Sequence, residues 1–334
     1  MPYSQKSLIE LMKVGAVTGE TRAPKHIETV ISNVFIFDKN VYKFYKNDNE
    51  FFNQGFRDIS DRLKRFDFSH QDFAWNRALS PSIYLKLVGV KVSGGKILLD
   101  VSESEAEELV MVMRRINKED ILFEKLMAGK ISEKESYLIG QQLAESLKLV
   151  EESLPEKYNY YEIFESRIVD LRNWIKSVEE YITGSESGHY CDLLDQLRQK
   201  NKTLFEGWLS GEITHVGDVH SHNAAFEGSE LHLMDTFPPK EVWRTEYRLI
   251  SLYRLGVDIW VLGGNEKLFR ALVRGYEDGS GVKIDNQLES IFILYSAGIM
   301  VSYLYMLQRT DKEKALAAQK FHQFIRDYYK QLVA

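Results

Sequence analysis

Apolar and polar positions follow two rhythms along this chain. Up to residue 116 the apolar runs are short, rich in β-branched and aromatic residues, and broken by turn residues. Residues 32–37 and 41–46 flank Asp38-Lys39-Asn40 as a hairpin would, and 84–92 and 96–101 flank Ser93-Gly94-Gly95 in the same way. Residues 108–116 read as a further strand, and 68–79 as a helix stopped by Pro81. Beyond that point the period lengthens. Leu138, Gln142, Leu143 and Leu147 mark a helix over 132–150, and Ile168, Leu171, Ile175, Val178 and Ile182 form an amphipathic stripe. The Gly- and Ser-rich run 183–188 reads as a loop, 192–209 as a helix, and Pro238-Pro239 as a break. Four more helices are expected near 247–253, 266–276, 286–307 and 311–332. The fold class this predicts is α+β, with a small strand-rich part over residues 1–113 and a larger helical part over 114–334.

One stretch between the helices breaks the rhythm. Residues 215–235 read HVGDVHSHNAAFEGSELHLMD. Ala224-Ala225-Phe226 and Leu231, Leu233 and Met234 are two apolar runs joined by Glu227-Gly228-Ser229, so a hairpin is expected there. A hairpin returns the chain, which brings Asn223 and Asp235 back toward each other and toward whatever Asp218 faces. Phosphoryl transfer needs this set: one carboxylate to orient the attacking hydroxyl, and an amide with a second carboxylate to hold the metal on the phosphates. A second chemistry fits the same stretch. Four of the eight histidines lie in it, His215, His220, His222 and His232, and Asp218-x-His220-x-His222 puts ligand types on one face of a strand, as a metal-dependent hydrolase would. The other four, His26, His70, His189 and His322, are isolated and supply no second cluster.

Composition narrows the choice. The chain has 334 residues, 44% of them hydrophobic and 28% charged, enough for two parts with a sizeable core. A net charge of −6 argues against a general nucleic-acid binder. A lone cysteine, Cys191, excludes an internal disulfide and suits a reducing compartment. No charged-then-apolar leader opens the sequence, so no signal peptide and a cytoplasmic location are expected. The longest apolar run, 291–307, is at the short limit for a membrane span and reads as a buried helix, so no membrane partner is expected.

The residues of 215–235 resemble the catalytic loop and metal-binding hairpin of the aminoglycoside phosphotransferase-like branch of the protein-kinase-like superfamily. That branch writes the loop H-G-D-x-H-x-x-N. This chain keeps Gly217, Asp218, His220 and Asn223, with Val216 as one extra residue after His215. The resemblance implies Asp218 as catalytic base with His220 in the same loop, and Asn223 and Asp235 as metal ligands; the Asp-Phe-Gly-like segment here is Asp235-Thr236-Phe237, without the glycine. It covers roughly residues 25–310 and implies a two-lobed protein-kinase-like fold. Residues 28–33, Glu-Thr-Val-Ile-Ser-Asn, resemble the E-T-H-I-S loop that one subgroup places over the nucleotide phosphates, with Val30 in place of His and with Ser32 and Asn33 as cofactor-binding candidates. Lys43, after Tyr42, matches the phosphate-binding lysine. Asp72, four residues before Asn76, matches the carboxylate that holds that lysine, one methylene shorter than the family's Glu. Leu109-Val110-Met111-Val112-Met113-Arg114-Arg115 resembles the strand entering the hinge, with Met111 and Met113 beside the adenine.

The implied activity is an ATP-dependent kinase acting on an alcohol group of a small-molecule acceptor, with ATP (GTP as the alternative) and Mg²⁺ as cofactors. A nucleotide-binding scaffold without turnover and nucleotidyl transfer are the rivals within this fold. The family's Asp-x-x-x-Asp-Leu-Ala brace is sought in 243–250, where Glu246 supplies one acid and the second is missing. Glu241, Glu246, Asp258 and the helices of 161–209 are candidates to line the acceptor side. The subgroup is often joined to a P-loop domain, and no G-x-x-x-x-G-K-[ST] occurs in this chain.

Overall fold

A computed structural model describes residues 5–17, 19–20, 22–29, 31–150, 159–207, 213–214, 218–238, 243, 246–284, 286–309 and 314–333. Val30, His215, Val216, Gly217, Pro239, Glu241, Arg244, Thr245 and the start of the helix expected at 311 lie outside the described residues. The chain packs as two compact units, one of Met1–Asn117 with His232–Glu241, the other of Lys118–Leu231 with Val242–Ala334.

The first unit is built on an antiparallel sheet of order β1-β2-β3-β6-β4-β5. Its strands are β1 (Lys25–Glu28), β2 (Ser32–Ile36), β3 (Asn40–Tyr45), β4 (Tyr84–Ser93), β5 (Lys96–Val101) and β6 (Glu108–Arg114). Gly94 and Gly95 close β4 onto β5 with φ of 58° and 74°, a turn whose two positive φ values glycine adopts without steric cost. Strand register sorts the side chains. Val34 pairs with Lys43 and Lys43 with Met111, and likewise Ile36 with Val41 and Val41 with Met113, so these six share one face. The opposite face carries Phe35, Tyr42, Phe44, Val110 and Val112, and it is covered by Leu8 and Met12 of helix α1 (Gln5–Lys13). Helix α2 (Glu50–Gly55) is short; helix α3 (Arg62–Leu79) packs Phe68 edge-on to Tyr45, on the Lys43 face.

The second unit is mostly helical. Its helices are α4 (Leu122–Met127), α5 (Glu133–Lys148), α6 (Tyr160–Lys176), α7 (Gly184–Lys200), α8 (Lys202–Gly207), α9 (Ile250–Gly263), α10 (Glu266–Ser280), α11 (Glu289–Gln308) and α12 (Lys314–Val333). α5 and α10 approach closely because Gly140 faces the Leu272 carbonyl and Gly275 the Tyr137 carbonyl, where a Cβ would collide with backbone. Strand β7 (Ile213–Thr214) pairs with β10 (Glu246–Tyr247). β8 (Ala224–Glu227) and β9 (Glu230–Leu233) form the hairpin expected from the sequence, turning at Gly228 and Ser229 with positive φ. Among the described residues one helix, α11, is long and apolar enough to cross a membrane, and 72% of its most apolar window is buried inside the protein.

The strand-rich and helical halves match the α+β expectation, and several boundaries move. The expected loop at 183–188 is the first turn of α7: Thr183 caps the helix by accepting from the Glu186 N–H, so Ser and Gly there mark a helix start. α3 begins six residues before the expected 68, capped by Asp61. The helix expected over 192–209 is interrupted at Asn201, and α9 starts at Ile250 because Glu246 and Tyr247 are in a strand. The 168–182 stripe outlasts its helix, since α6 ends at Lys176 while Val178 and Ile182 stay buried. α1, α2, α4, β1, β7 and β10 are additions to the elements that the pattern predicts.

Candidate functional site

In the first unit, Lys43 is nearly fully buried and its ammonium meets two carboxylates. It pairs with Asp235 and lies 3.9 Å from Asp72. Burial alone would discharge it, but Asp235 and then Asp72 outweigh that and raise its pKa. Asp72 is itself buried. Its Oδ2 accepts from the Tyr45 hydroxyl at 2.6 Å and its Oδ1 from the Asn76 amide at 2.8 Å. Burial raises its carboxyl, Lys43 lowers it and Asp235 raises it, for a net rise to about 6.

One face of α3 sets this arrangement. Asp72 and Asn76 stand one turn apart on it, and Ser80 is the cap residue just past its C-terminal end. Asn76 Oδ1 accepts from the Thr236 N–H at 3.0 Å, Ser80 Oγ donates to the Leu233 carbonyl at 2.8 Å, and Trp75 Nε1 donates to Thr236 Oγ1 at 3.1 Å. Phe237 packs against Phe68 and Trp75. Asp235 is thereby held with φ of 52°, its N–H donating to the Tyr84 hydroxyl at 2.8 Å and its carboxylate half-exposed. Helix α3 thus positions both carboxylates that face the lysine.

The other residues expected at the nucleotide divide by face. Met111 lies directly across from Lys43, and Met113 from Val41; Val34, Val41 and Met113 are half-buried, an apolar surface of the kind an adenine ring covers. Ser32 pairs with Tyr45 on that face, its hydroxyl bonded to Thr29 Oγ1 at 2.8 Å. Asn33 pairs with Phe44 and so falls on the opposite face, where its Oδ1 meets His26 Nε2 at 3.0 Å. Period-two alternation separates its side chain from Lys43.

In the second unit, the Asp218 carboxylate is 42% exposed. Its Oδ1 pairs with Arg254 Nη2 at 2.5 Å and its Oδ2 lies 3.5 Å from His220 Nε2. Desolvation pushes this carboxyl up, and the charges of Arg254 and His220 more than reverse it, leaving it well below the usual carboxylate range. Asn223 Nδ2 donates to the Asp218 carbonyl at 3.1 Å, which ties the two candidate residues of the loop together. The loop is anchored from α9: Asp258 Oδ2 accepts from the Ser221 N–H at 2.8 Å and from its Oγ at 2.6 Å. His222 is stacked on Phe123 at 3.9 Å, and burial keeps its imidazole neutral. Among the described residues no three His, Cys, Asp or Glu side chains converge as a metal site, so the histidine-cluster reading finds no support.

The brace expected in 243–250 lies elsewhere. Glu246 is buried and bonded to the Tyr160 hydroxyl at 2.6 Å and Arg167 at 2.7 Å, holding α6 rather than the loop. The acid that anchors the loop is Asp258, fully buried and turned to Ser221 rather than lining an acceptor space. Asp258 stands four residues after Arg254, the spacing of the two acids in the expected motif, with arginine where the first acid would be. Anchoring that motif on Glu246 hid the match. Tyr84, Asn76, Thr236 and Ser221 carry no local signal, because their contribution is to orient other groups.

No known family profile matches the chain. A stearoyl-CoA desaturase from Mesocricetus auratus is 34% identical over 107 residues; the chain spans 27% of the length of that curated relative, and the match covers 31% of this chain, a share that assigns neither family nor activity. Solved structures agree over nearly the whole chain. A glucosamine kinase in complex with glucosamine, ADP and inorganic phosphate is similar over 93% of this chain and 82% of its own, at 10% identity and TM-score 0.52. A choline kinase from Streptococcus pneumoniae is similar over 97% of this chain and 100% of its own, at 10% identity and TM-score 0.51. A choline/ethanolamine kinase family protein from Mesorhizobium loti gives 97%, 92%, 14% and 0.50 for the same four measures. The chain therefore has the protein-kinase-like fold of these small-molecule kinases, the fold implied by its resemblance to the aminoglycoside phosphotransferase-like proteins.

Proposed function

We propose that this protein is a phosphotransferase that moves the γ-phosphate of ATP, with GTP as the alternative donor, to a hydroxyl of a small molecule. The observation that carries the reading is the buried Lys43 ammonium set between Asp72 and Asp235, since a charge so costly to bury is kept where it has a task. The kinases of like fold, one of them holding ADP and inorganic phosphate, support it.

In this reading Lys43 binds the α- and β-phosphates, and the apolar surface of Val34, Val41 and Met113 receives the base. Each candidate ligand, taken in its own unit, is of the kind Mg²⁺ takes: Asp235 offers a half-exposed carboxylate in the first, and Asn223 an amide oxygen in the second. The metal, when bound, supplies charge neutralisation on the phosphates. Asp218, ionised and half-exposed, orients the acceptor hydroxyl. A new bond forms between the hydroxyl oxygen and the γ-phosphorus, the bond to the β,γ-bridging oxygen breaks, ADP leaves, and the hydroxyl proton passes through Asp218 to solvent. A carboxyl of such low basicity positions the hydroxyl more than it removes the proton, which suits a loose transition state. A need for ATP suits a reaction in the cytoplasm.

The Arg254–Asp218 pair favours one second reading, a nucleotide-binding protein without turnover, because the carboxylate is already engaged. Thermal unfolding with ATP and Mg²⁺, followed by a nucleotide-consumption assay, separates the readings. The phosphotransferase reading expects a Mg²⁺-dependent rise in Tm that Asp235→Ala loses, and turnover that Asp218→Asn abolishes. Binding without consumption favours the scaffold; no rise with either nucleotide defeats both.

A further inference from the structure

The acceptor side of Asp218 carries an unusual charge. The half-exposed carboxylate does not face solvent as a free anion, because Arg254 Nη2 sits 2.5 Å from it and His220 flanks it on the other oxygen. Arg254 lies one turn before Asp258 on α9, and its side chain is 15% exposed. Its Nε–H has no hydrogen-bond partner among the described residues. Of the neighbouring Asp258 carboxylate, Oδ2 is taken by the loop anchor at Ser221, while Oδ1 has no hydrogen-bond partner among the described residues and the carboxylate's charge also acts on Arg254. A guanidinium has five N–H donors in a planar fork, and with Nη2 on Asp218 the buried Nε–H of Arg254 is the one left to be matched among the described residues. A desolvated donor left without a partner is costly, and a ligand anion is the group that would satisfy it.

The consequence for an acceptor follows from charge. A cationic alcohol would find Asp218 already neutralised and would sit against a guanidinium, which like-charge repulsion disfavours. A neutral alcohol would leave the spare donor unmatched. An alcohol with a carboxylate or phosphate one or two carbons from its hydroxyl can lay the anion on Arg254 and the hydroxyl on Asp218 together. We propose that Arg254 determines acceptor specificity, selecting a small alcohol that carries an anionic group beside its hydroxyl. This rests on the phosphotransferase reading, in which Asp218 receives the acceptor.

The test uses four compact alcohols of different charge, glycerate, glycerol 3-phosphate, glycerol and choline, on the full chain and on Arg254→Gln and Arg254→Lys. Ligand-observed NMR reports binding, and phosphorus NMR with ATP and Mg²⁺ reports transfer. The expected result is that glycerate or glycerol 3-phosphate binds at least about tenfold more tightly than glycerol and choline, equivalent to one decade of affinity. Arg254→Gln abolishes that preference while ATP-dependent stabilisation is retained, and Arg254→Lys, which keeps the charge, restores part of it. The two anions tell carboxylate from phosphate as the preferred group. Equal or better binding of choline or glycerol overturns the proposal, as does anion binding that Arg254→Gln leaves unchanged, or binding of none of the four. Transfer to choline would uphold the phosphotransferase reading and overturn the charge preference. Arg254-dependent anion binding with no nucleotide bound or consumed would do the reverse. Where Arg254→Gln does not fold, the Arg254→Lys comparison with wild type carries the test, a loss of at least several-fold for the anions alone being expected from its single-point charge.

Discussion

Asp258 receives both hydrogens that Ser221 can offer, the backbone N–H at 2.8 Å and the hydroxyl at 2.6 Å, and so fastens the candidate catalytic loop to helix α9. Both partners are fully buried. The contact acts three residues from Asp218 and touches nothing that would react.

Asp258→Ala leaves two buried donors without an acceptor. Stability should fall by about 3 kcal/mol, the sum expected for a lost charged acceptor with two hydrogen bonds. Turnover should fall about 100-fold through loss of positioning, with the Tm rise on adding ATP and Mg²⁺ kept within about a third of its wild-type size. Chemical denaturation and steady-state kinetics check the two parts; wild-type turnover in a folded variant would show that the anchor does not position Asp218.

Tyr45→Phe removes a 2.6 Å hydrogen bond to the buried Asp72 carboxylate and no packing volume. A cost of about 2 kcal/mol is expected, since the bond is to a charged acceptor. The variant should weaken nucleotide binding, because Asp72 loses one of the groups that hold it toward Lys43. Isothermal titration with a non-hydrolysable ATP analogue measures this, and an unchanged affinity would place the tyrosine outside the nucleotide-binding network.

Gly275→Ala sets a methyl against the Tyr137 carbonyl and Gly140→Ala against that of Leu272, backbone that cannot yield. Each should destabilise the second unit by at least about 2 kcal/mol through overpacking of α5 on α10. Gly184→Ala, where nothing lies within 4 Å, is the control. It should be neutral or stabilise by up to about 1 kcal/mol, as alanine favours the helix. A Tm series over the three variants orders them.

Cys191 supplies a pH dependence. Burial raises its thiol to about 11, the smaller influences of Arg172 and Asp192 opposing each other. The folded state holds the proton at pH values where an unfolded cysteine, at about 8.5, has lost it. Stability from this group is therefore complete below about pH 8.5 and is lost as pH rises toward 11. At about 1.4 kcal/mol per unit the loss reaches roughly 3 kcal/mol. Cys191→Ala should flatten the stability curve over that interval. In the wild type a thiol reagent at pH 8 should react on unfolding and scarcely before, given 1% exposure. Fast native-state labelling would contradict the burial.

Much of the candidate site is legible in the amino-acid sequence because its signals are local. Asp218, His220, Asn223 and Asp235 fall at fixed distances around a Gly228 turn, and period-two alternation marks the β3 strand that carries Lys43. Alternation also contains the separation of Asn33 from Lys43, through the register of β2 against β3. The Thr183-x-x-Glu186 cap is legible too, under a run of small residues that resembles a loop.

What pairing through space decides leaves no such trace. Asn76 meets Thr236, Tyr84 meets the Asp235 backbone and Asp258 meets Ser221 across sequence separations of 160, 151 and 37 residues. Hydrophobic period sets which face of an element is buried, but several partners satisfy the same burial, and only the packed chain chooses among them. The charge beside Asp218 belongs to this second kind. Arg254 reads along the chain as one more polar position on an apolar helix, and it becomes part of the site only because α9 lies under the catalytic loop, where loss of solvent makes its pairing with Asp218 count.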